Sequence, residues 1–177
     1  LLFSTGYMAN LGVVTALAGR RGEVFGDKLN HASLVDAAQL SGAAFTRYRH
    51  GDLAQLEGQL AASKALDRLI VSDLVFSMDG DLAPVDALLD LAERYDAWLY
   101  LDDAHGFGVL NEGRGGLTER ARESDRVIYM ATLGKAAGVA GAAVAAHPDV
   151  IEWLLQKARP YIYTTASPPL LAACLAE

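Results

Sequence analysis

The sequence has a single cysteine, Cys174, which excludes an intramolecular disulfide framework and a cysteine-built zinc site. That scarcity fits a reducing, cytoplasmic compartment. Basic residues are in deficit: 15 Lys and Arg face 22 Asp and Glu, for a formal net charge of −7. A nucleic-acid surface needs clustered cations, so no nucleic-acid partner is expected. A membrane partner is not expected either. The longest small and apolar run, Ala136 to Ala146, is too short for a spanning helix and contains Gly138 and Gly141. The opening Leu1-Leu2-Phe3-Ser4-Thr5-Gly6 lacks a basic segment and an initiator Met, so it does not read as a signal peptide. It reads as the middle of a longer protein, and the end at Ala176-Glu177 falls inside an apolar helical pattern.

The common nucleotide motifs are also missing. Gly106-Phe107-Gly108 starts like a dinucleotide fingerprint, but Asn111 stands where the third glycine belongs. Gly134-Lys135 hints at a phosphate-binding P-loop, yet Tyr129 and Ala136 occupy its other required positions.

What is present describes a folded chain. It is 52% hydrophobic and 21% charged, and its 177 residues suffice for one domain with a substantial core. Short apolar runs alternate with segments of helical period. Strands are expected at Glu23–Phe25, Ala44–Tyr48, Arg68–Val71 (running on to Val75), Ala97–Leu101, Arg126–Met130 and Gly141–Ala146. Helices are expected at Asn10–Ala18, Ser33–Leu40 with Ser33 as N-cap, Asp52–Ser63, Pro84–Tyr95, Pro148–Ala158 and Pro168–Ala176. This βαβα rhythm predicts an α/β fold, a three-layer α/β/α sandwich around a mostly parallel sheet. The Gly141–Ala146 strand is the one expected to run antiparallel. Polar chemistry should gather where the strands end.

Strand ends supply polar groups at Ser72-Asp73 through Ser77-Met78-Asp79-Gly80-Asp81, at Asp102-Asp103-Ala104-His105-Gly106, and at Thr132-Leu133-Gly134-Lys135. Small residues flank Lys135 and let a large group approach its amine, which suits a Schiff-base lysine. Asp102, at the end of its strand, is placed to keep a pyridine nitrogen protonated. Pyridoxal 5'-phosphate needs that proton to act as an electron sink. His105 could reach the phenolic oxygen of the same ring. Gly6 and Tyr7, before a helix, offer backbone N–H groups to a phosphate, with Thr132 adding a hydroxyl.

Several neighbours have plainer readings. Asp103 reads as a turn or capping residue, His50 as a capping neighbour of Gly51-Asp52, His147 as a strand-to-helix turn, and Cys174 as buried helix packing. Asp102 and His105 have no third ligand to make a metal site.

Taken together, Asp102-Asp103-Ala104-His105-Gly106, Ser77-Met78-Asp79-Gly80, Thr132-Leu133-Gly134-Lys135 and Asn30-His31-Ala32-Ser33-Leu34 resemble the α-oxoamine synthases. These fold-type I (aspartate aminotransferase-like) pyridoxal-phosphate enzymes condense an amino acid with an acyl thioester and release CO2. The resemblance implies that Lys135 carries the cofactor and later moves a proton, Asp102 pairs with its ring nitrogen, and His31 stacks on its face. It also implies that His105 and Ser77 meet the phenolic side, while Gly6, Tyr7 and Thr132 hold the phosphate. Thr164 and Thr165 match a segment that reaches the phosphate of a neighbouring subunit, implying a homodimer. The nearest member takes L-alanine and pimeloyl-CoA or pimeloyl-acyl carrier protein. Glycine C-acetyltransferase and 5-aminolevulinate synthase are sister readings, as is a piece that binds cofactor without turnover. Residues 1–177 would then be the cofactor-binding large domain, with the family's N-terminal arm and small C-terminal domain outside it.

Overall fold

The computed structural model describes residues 1–176. Strands form at Leu2–Phe3 (β1), Gly22–Asp27 (β2), Ala44–Tyr48 (β3), Asp67–Asp73 (β4), Trp98–Asp102 (β5), Val127–Thr132 (β6) and Ala142–Ala145 (β7). Helices form at Gly6–Leu17 (α1), Ala32–Ser41 (α2), Leu53–Ala62 (α3), Val85–Arg94 (α4), Glu119–Glu123 (α5), Pro148–Lys157 (α6), Arg159–Ile162 (α7) and Pro169–Ala176 (α8). The strands make one sheet in the order β1-β7-β6-β5-β4-β2-β3. β3, β2, β4, β5 and β6 are mutually parallel, and β7 runs antiparallel to both β6 and β1.

Alternation along the central strands sends side chains to two separate cores. Leu69, Val71, Tyr100, Ile128 and Met130 pack against α1, α2 and α6 through Val13, Val14, Leu34, Ala38 and Leu154. Ile70, Leu99, Leu101 and Val127 face the other way, onto Leu56 and Leu60 of α3 and Leu88 and Leu89 of α4. The sheet is therefore covered on both faces, which a parallel sheet requires. The β2–α2–β3 crossover lies on the first face, whereas α3, α4 and α5 lie on the second. The chain thus reverses its winding direction beside β2 and β4, the place where doubly wound sheets bind ligands.

Three local expectations are corrected. α1 begins at Gly6 rather than Asn10, because Thr5 caps it: its side chain accepts from Met8 N–H. Gly6 and Tyr7 therefore form the first turn and keep N–H groups with no intrahelical acceptor. His31, not Ser33, is the N-cap of α2, with its ring Nδ1 accepting from Ser33 N–H at 3.2 Å. Cys174 is exposed, because α8 lays no side chain into the core. β1, α5 and α7 are short elements that carry too few residues for a readable period.

Candidate active site

The carboxyl ends of the central strands bring the chemistry together. β4 ends at Asp73 and β5 at Asp102, and the two are directly paired in the parallel register. β6, alongside β5, ends at Thr132 and releases the loop that carries Lys135. Asp102 is buried, yet its carboxylate is well solvated by the protein. Asn10 Nδ2 donates to Oδ2 at 2.7 Å, and Ala104 N–H donates to Oδ1 at 3.0 Å. Burial pushes the Asp102 pKa up, while the Asn10 and Ala104 hydrogen bonds and the nearby Lys135 charge pull it part of the way back.

Lys135 Nζ lies 2.8 Å from His105 Nε2. Burial and the Lys135 cation lower the His105 pKa, so near neutrality this ring accepts from the ammonium. His31 is the remaining group of this cluster; its Nδ1 lies 2.6 Å from Ser33 Oγ and its backbone N–H donates to Asp73 Oδ2 at 2.7 Å. Asp73 is pushed up to about 7 by burial and by the charge of Asp102.

The N-terminus of α1 approaches this cluster from β6. A Cβ on Gly6 would fall 2.6 Å from Thr132 Cγ2, so only glycine allows the helix start to sit here. Thr132 Oγ1 points back to Ala104 O at 3.4 Å, joining the β5 and β6 loops. Tyr7 turns outward and its hydroxyl donates to Asp36, so its contribution to the cluster is its backbone.

The remaining residues lie on neighbouring loops. Ser77 is exposed in the turn after β4, where Phe76 N–H donates to Asp81 O and Gly80 has a φ of 77°. His50, expected only to neighbour a cap, bridges Asp27 Oδ1 at 3.1 Å and Asp81 Oδ2 at 2.8 Å. It thereby ties the Ser77 turn to the end of β2. Burial opposes the His50 charge, but Asp27 and Asp81 outweigh it and raise its pKa. Thr164 and Thr165 line a cavity of about 390 Å3 with Ser4, Leu133, Gly141 and Leu171.

Sequence reading missed two parts of this arrangement. Asn10 was taken only as the start of a helix, yet its buried amide holds Asp102. Asp103, read as a turn residue, is completely buried; its Oδ2 accepts from Tyr129 Oη at 2.6 Å and Gly116 N–H at 2.8 Å. The loop from Gly106 to Gly116 folds over Asp103, and a Cβ on Gly115 would fall 2.3 Å from its Oδ2. The density of glycines in Gly113-Arg114-Gly115-Gly116 was the available signal for such a close approach.

The sequence matches the family of class I and II aminotransferases over residues 1–177. It is 84% identical over 177 residues to the 8-amino-7-oxononanoate synthase of Thiobacillus denitrificans, covering 100% of this chain and 46% of that protein. The enzyme of that name from Nitrosospira multiformis is 68% identical over 176 residues, which is 99% of this chain and 44% of that protein. The chain thus spans about half the length of the curated relatives it matches. Among solved structures, Sphingomonas wittichii serine palmitoyltransferase superposes with a TM-score of 0.92 at 34% identity, over 99% of this chain and 45% of that one. The 8-amino-7-oxononanoate synthase of Francisella tularensis gives a TM-score of 0.84 at 36% identity, over 99% of this chain and 51% of that one. With a matching fold, a full-length sequence match and these relatives, the chain belongs to the class I and II aminotransferase family.

Proposed function

We propose that this chain is the cofactor-binding large domain of an 8-amino-7-oxononanoate synthase, which joins L-alanine to a pimeloyl thioester with loss of CO2 in biotin biosynthesis. The observation that carries the reading is the pairing of an accessible amine, Lys135 Nζ held at His105, with a buried acid at the end of the neighbouring strand, Asp102. The names and identities of the relatives point the same way.

Pyridoxal 5'-phosphate fits the residues present. Among the described residues no Lys or Arg lies within 4.0 Å of the Asp102 carboxylate, so a protonated ring nitrogen is a cation this buried acid can accept. Asp102 would take that position, with His31 against the ring face and His105 and Ser77 toward the phenolic oxygen. The free N–H groups of Gly6 and Tyr7, backed by the α1 dipole and by Thr132, suit a phosphate. When bound, the cofactor supplies an aldehyde for an amine and an electron sink for a carbanion.

Lys135 Nζ would hold the cofactor through its aldehyde and, once free, would take the proton from the substrate Cα. Having received it, Nζ returns the proton after CO2 has left. His105, kept neutral beside Lys135, can share the proton that Nζ carries. Asn10 and Ala104 donate to the Asp102 carboxylate and so favour its ionised form against burial, which would suit a ring nitrogen that must keep its proton.

A homodimer belongs to the same reading. Thr164 and Thr165 line a cavity with Ser4 and Leu133, and α8 leaves Leu170 exposed. They suit the phosphate of a partner subunit. The choice of substrate rests on sequence identity rather than fold, since serine palmitoyltransferase shares the fold. The test is turnover by the full natural chain with a pimeloyl thioester. L-alanine should be consumed and CO2 released, with glycine and L-serine poor substitutes. Preference for glycine would move the assignment to a sister enzyme, and cofactor binding without any turnover would refute the synthase.

A further inference from the structure

One hydrogen-bonded chain runs beneath the cluster, from Tyr100 to His31. Tyr100 Oη donates to Asn10 Oδ1 at 2.6 Å. Asn10 Nδ2 donates to Asp102 Oδ2 and to Ser33 Oγ, both at 2.7 Å. Ser33 Oγ lies 2.6 Å from His31 Nδ1. Tyr100, Asn10, Ser33 and Asp102 are all buried.

The donors and acceptors in this chain admit one arrangement. Flipping the Asn10 amide would aim its oxygen at a carboxylate and its nitrogen at a hydroxyl already facing it, so Nδ2 must face Asp102. Both of its hydrogens are then used. Ser33 Oγ, having accepted from Asn10, has its own hydrogen left for His31 Nδ1. Ser33 N–H donates to the same nitrogen at 3.2 Å. A ring nitrogen that accepts from two donors carries no proton, so the His31 proton sits on Nε2. Asn10 also lies four residues after Gly6, on the same side of α1. The helix that presents its free N–H groups at the site is therefore the one that holds the acid.

We propose that Asn10 is a positioning residue that acts at both ends of the site: it fixes the Asp102 carboxylate against the cofactor ring nitrogen and, through Ser33, fixes the tautomer of His31. The inference rests on the pyridoxal-phosphate reading above. A network serving only to satisfy buried polar groups would not need to connect the acid with the stacking imidazole. This one does so through a single amide, locked by the Tyr100 hydroxyl. Removing Asn10 leaves Asp102 with Ala104 N–H as its remaining hydrogen bond, which favours the protonated acid and weakens its hold on a ring proton.

The experiment uses the full natural chain loaded with pyridoxal phosphate labelled with 15N at the ring nitrogen. In the unmodified protein the ring nitrogen should be protonated throughout the neutral range. In Asn10→Ala its titration midpoint should fall by roughly one pH unit and cofactor affinity should drop roughly tenfold. Tyr100→Phe keeps the packing and should shift the midpoint in the same direction by less; it decides the matter if Asn10→Ala does not fold. Ser33→Ala should leave the ring nitrogen unchanged and alter the 15N signals of the His31 ring. A parent-like ring nitrogen in folded Asn10→Ala or in Tyr100→Phe overturns the inference alone. Failure of the unmodified protein to form a Lys135-dependent cofactor band overturns the cofactor reading, and the inference with it.

Discussion

The two ends of the central strands treat carboxylates in opposite ways. At the amino ends, Asp67, Asp96 and Asp125 are exposed, and Asp96 meets Arg126 at 2.7 Å in water. Such pairs contribute little, because solvent and salt screen them. At the carboxyl ends, Asp27, Asp73, Asp102 and Asp103 are buried, and among the described residues none has a Lys or Arg within 4.0 Å. They are held by backbone N–H groups, Asn10, His50 and Tyr129. Burial of an acid beside another acid disfavours the fold, and proteins accept that cost where function needs the charge. The contrast locates the site before any relative is considered.

The largest effect expected from disturbing this contrast is at Asp102. Asp102→Asn should lower turnover by roughly a thousandfold, since the charge opposite the ring nitrogen is lost from a dry site. The same substitution should raise the thermal midpoint of the cofactor-free protein at neutral pH, because a buried acid has been removed. A fall in both would mean that Asp102 stabilises the fold rather than the chemistry.

Asp73 comes next, through pH. Its folded pKa, pushed up to about 7, lies above the ordinary carboxylate value. Between these values the native state binds more protons than the unfolded chain, so cofactor-free stability falls as pH rises through that window. Asp73→Asn, which can still accept from His31 N–H, should flatten that fall and add on the order of 3 kcal/mol at neutral pH. Urea unfolding at a series of pH values measures it, and an unchanged slope would contradict the account.

His50 should show the same direction, at higher pH and with a smaller amplitude. Its pKa is raised by Asp27 and Asp81 against the opposing effect of burial. Its clamp is therefore complete below the unfolded histidine pKa and is lost as pH rises through the folded one. Hydrogen exchange in the Phe76–Asp81 turn should speed up across that range, and His50→Gln should abolish the pH dependence. Smallest of all is the amino-end pair: Arg126→Ala should move the melting temperature by roughly 2 °C or less. A larger loss there than the change at Asp73 would invert the comparison.

How far the sequence revealed this is itself explained by range. Elements with a clear period, such as α4 and the alternation through Leu69-Ile70-Val71, were readable because local spacing decides which face is buried. The antiparallel β7 was also anticipated. β1 was not, because two residues carry no pattern and gain their strand character from pairing with β7. At the candidate site, the placement of Asp102 at the end of one strand and of Lys135 just after another was legible from the apolar runs before them. Asn10 was not, because its partners Ser33, Tyr100 and Asp102 lie 23, 90 and 92 residues away. Asp103 was misread for a similar reason: Tyr129, which bonds it, is 26 residues later and on the neighbouring strand.

The most direct test of the central claim is to load the full natural chain with pyridoxal phosphate, reduce it with borohydride and identify the modified lysine by peptide mass. Before reduction a band near about 420 nm should form, as a lysine-bound cofactor requires. The account predicts the label on Lys135; a label on Lys28, Lys64 or Lys157 instead, with Lys135 unmodified, would contradict it.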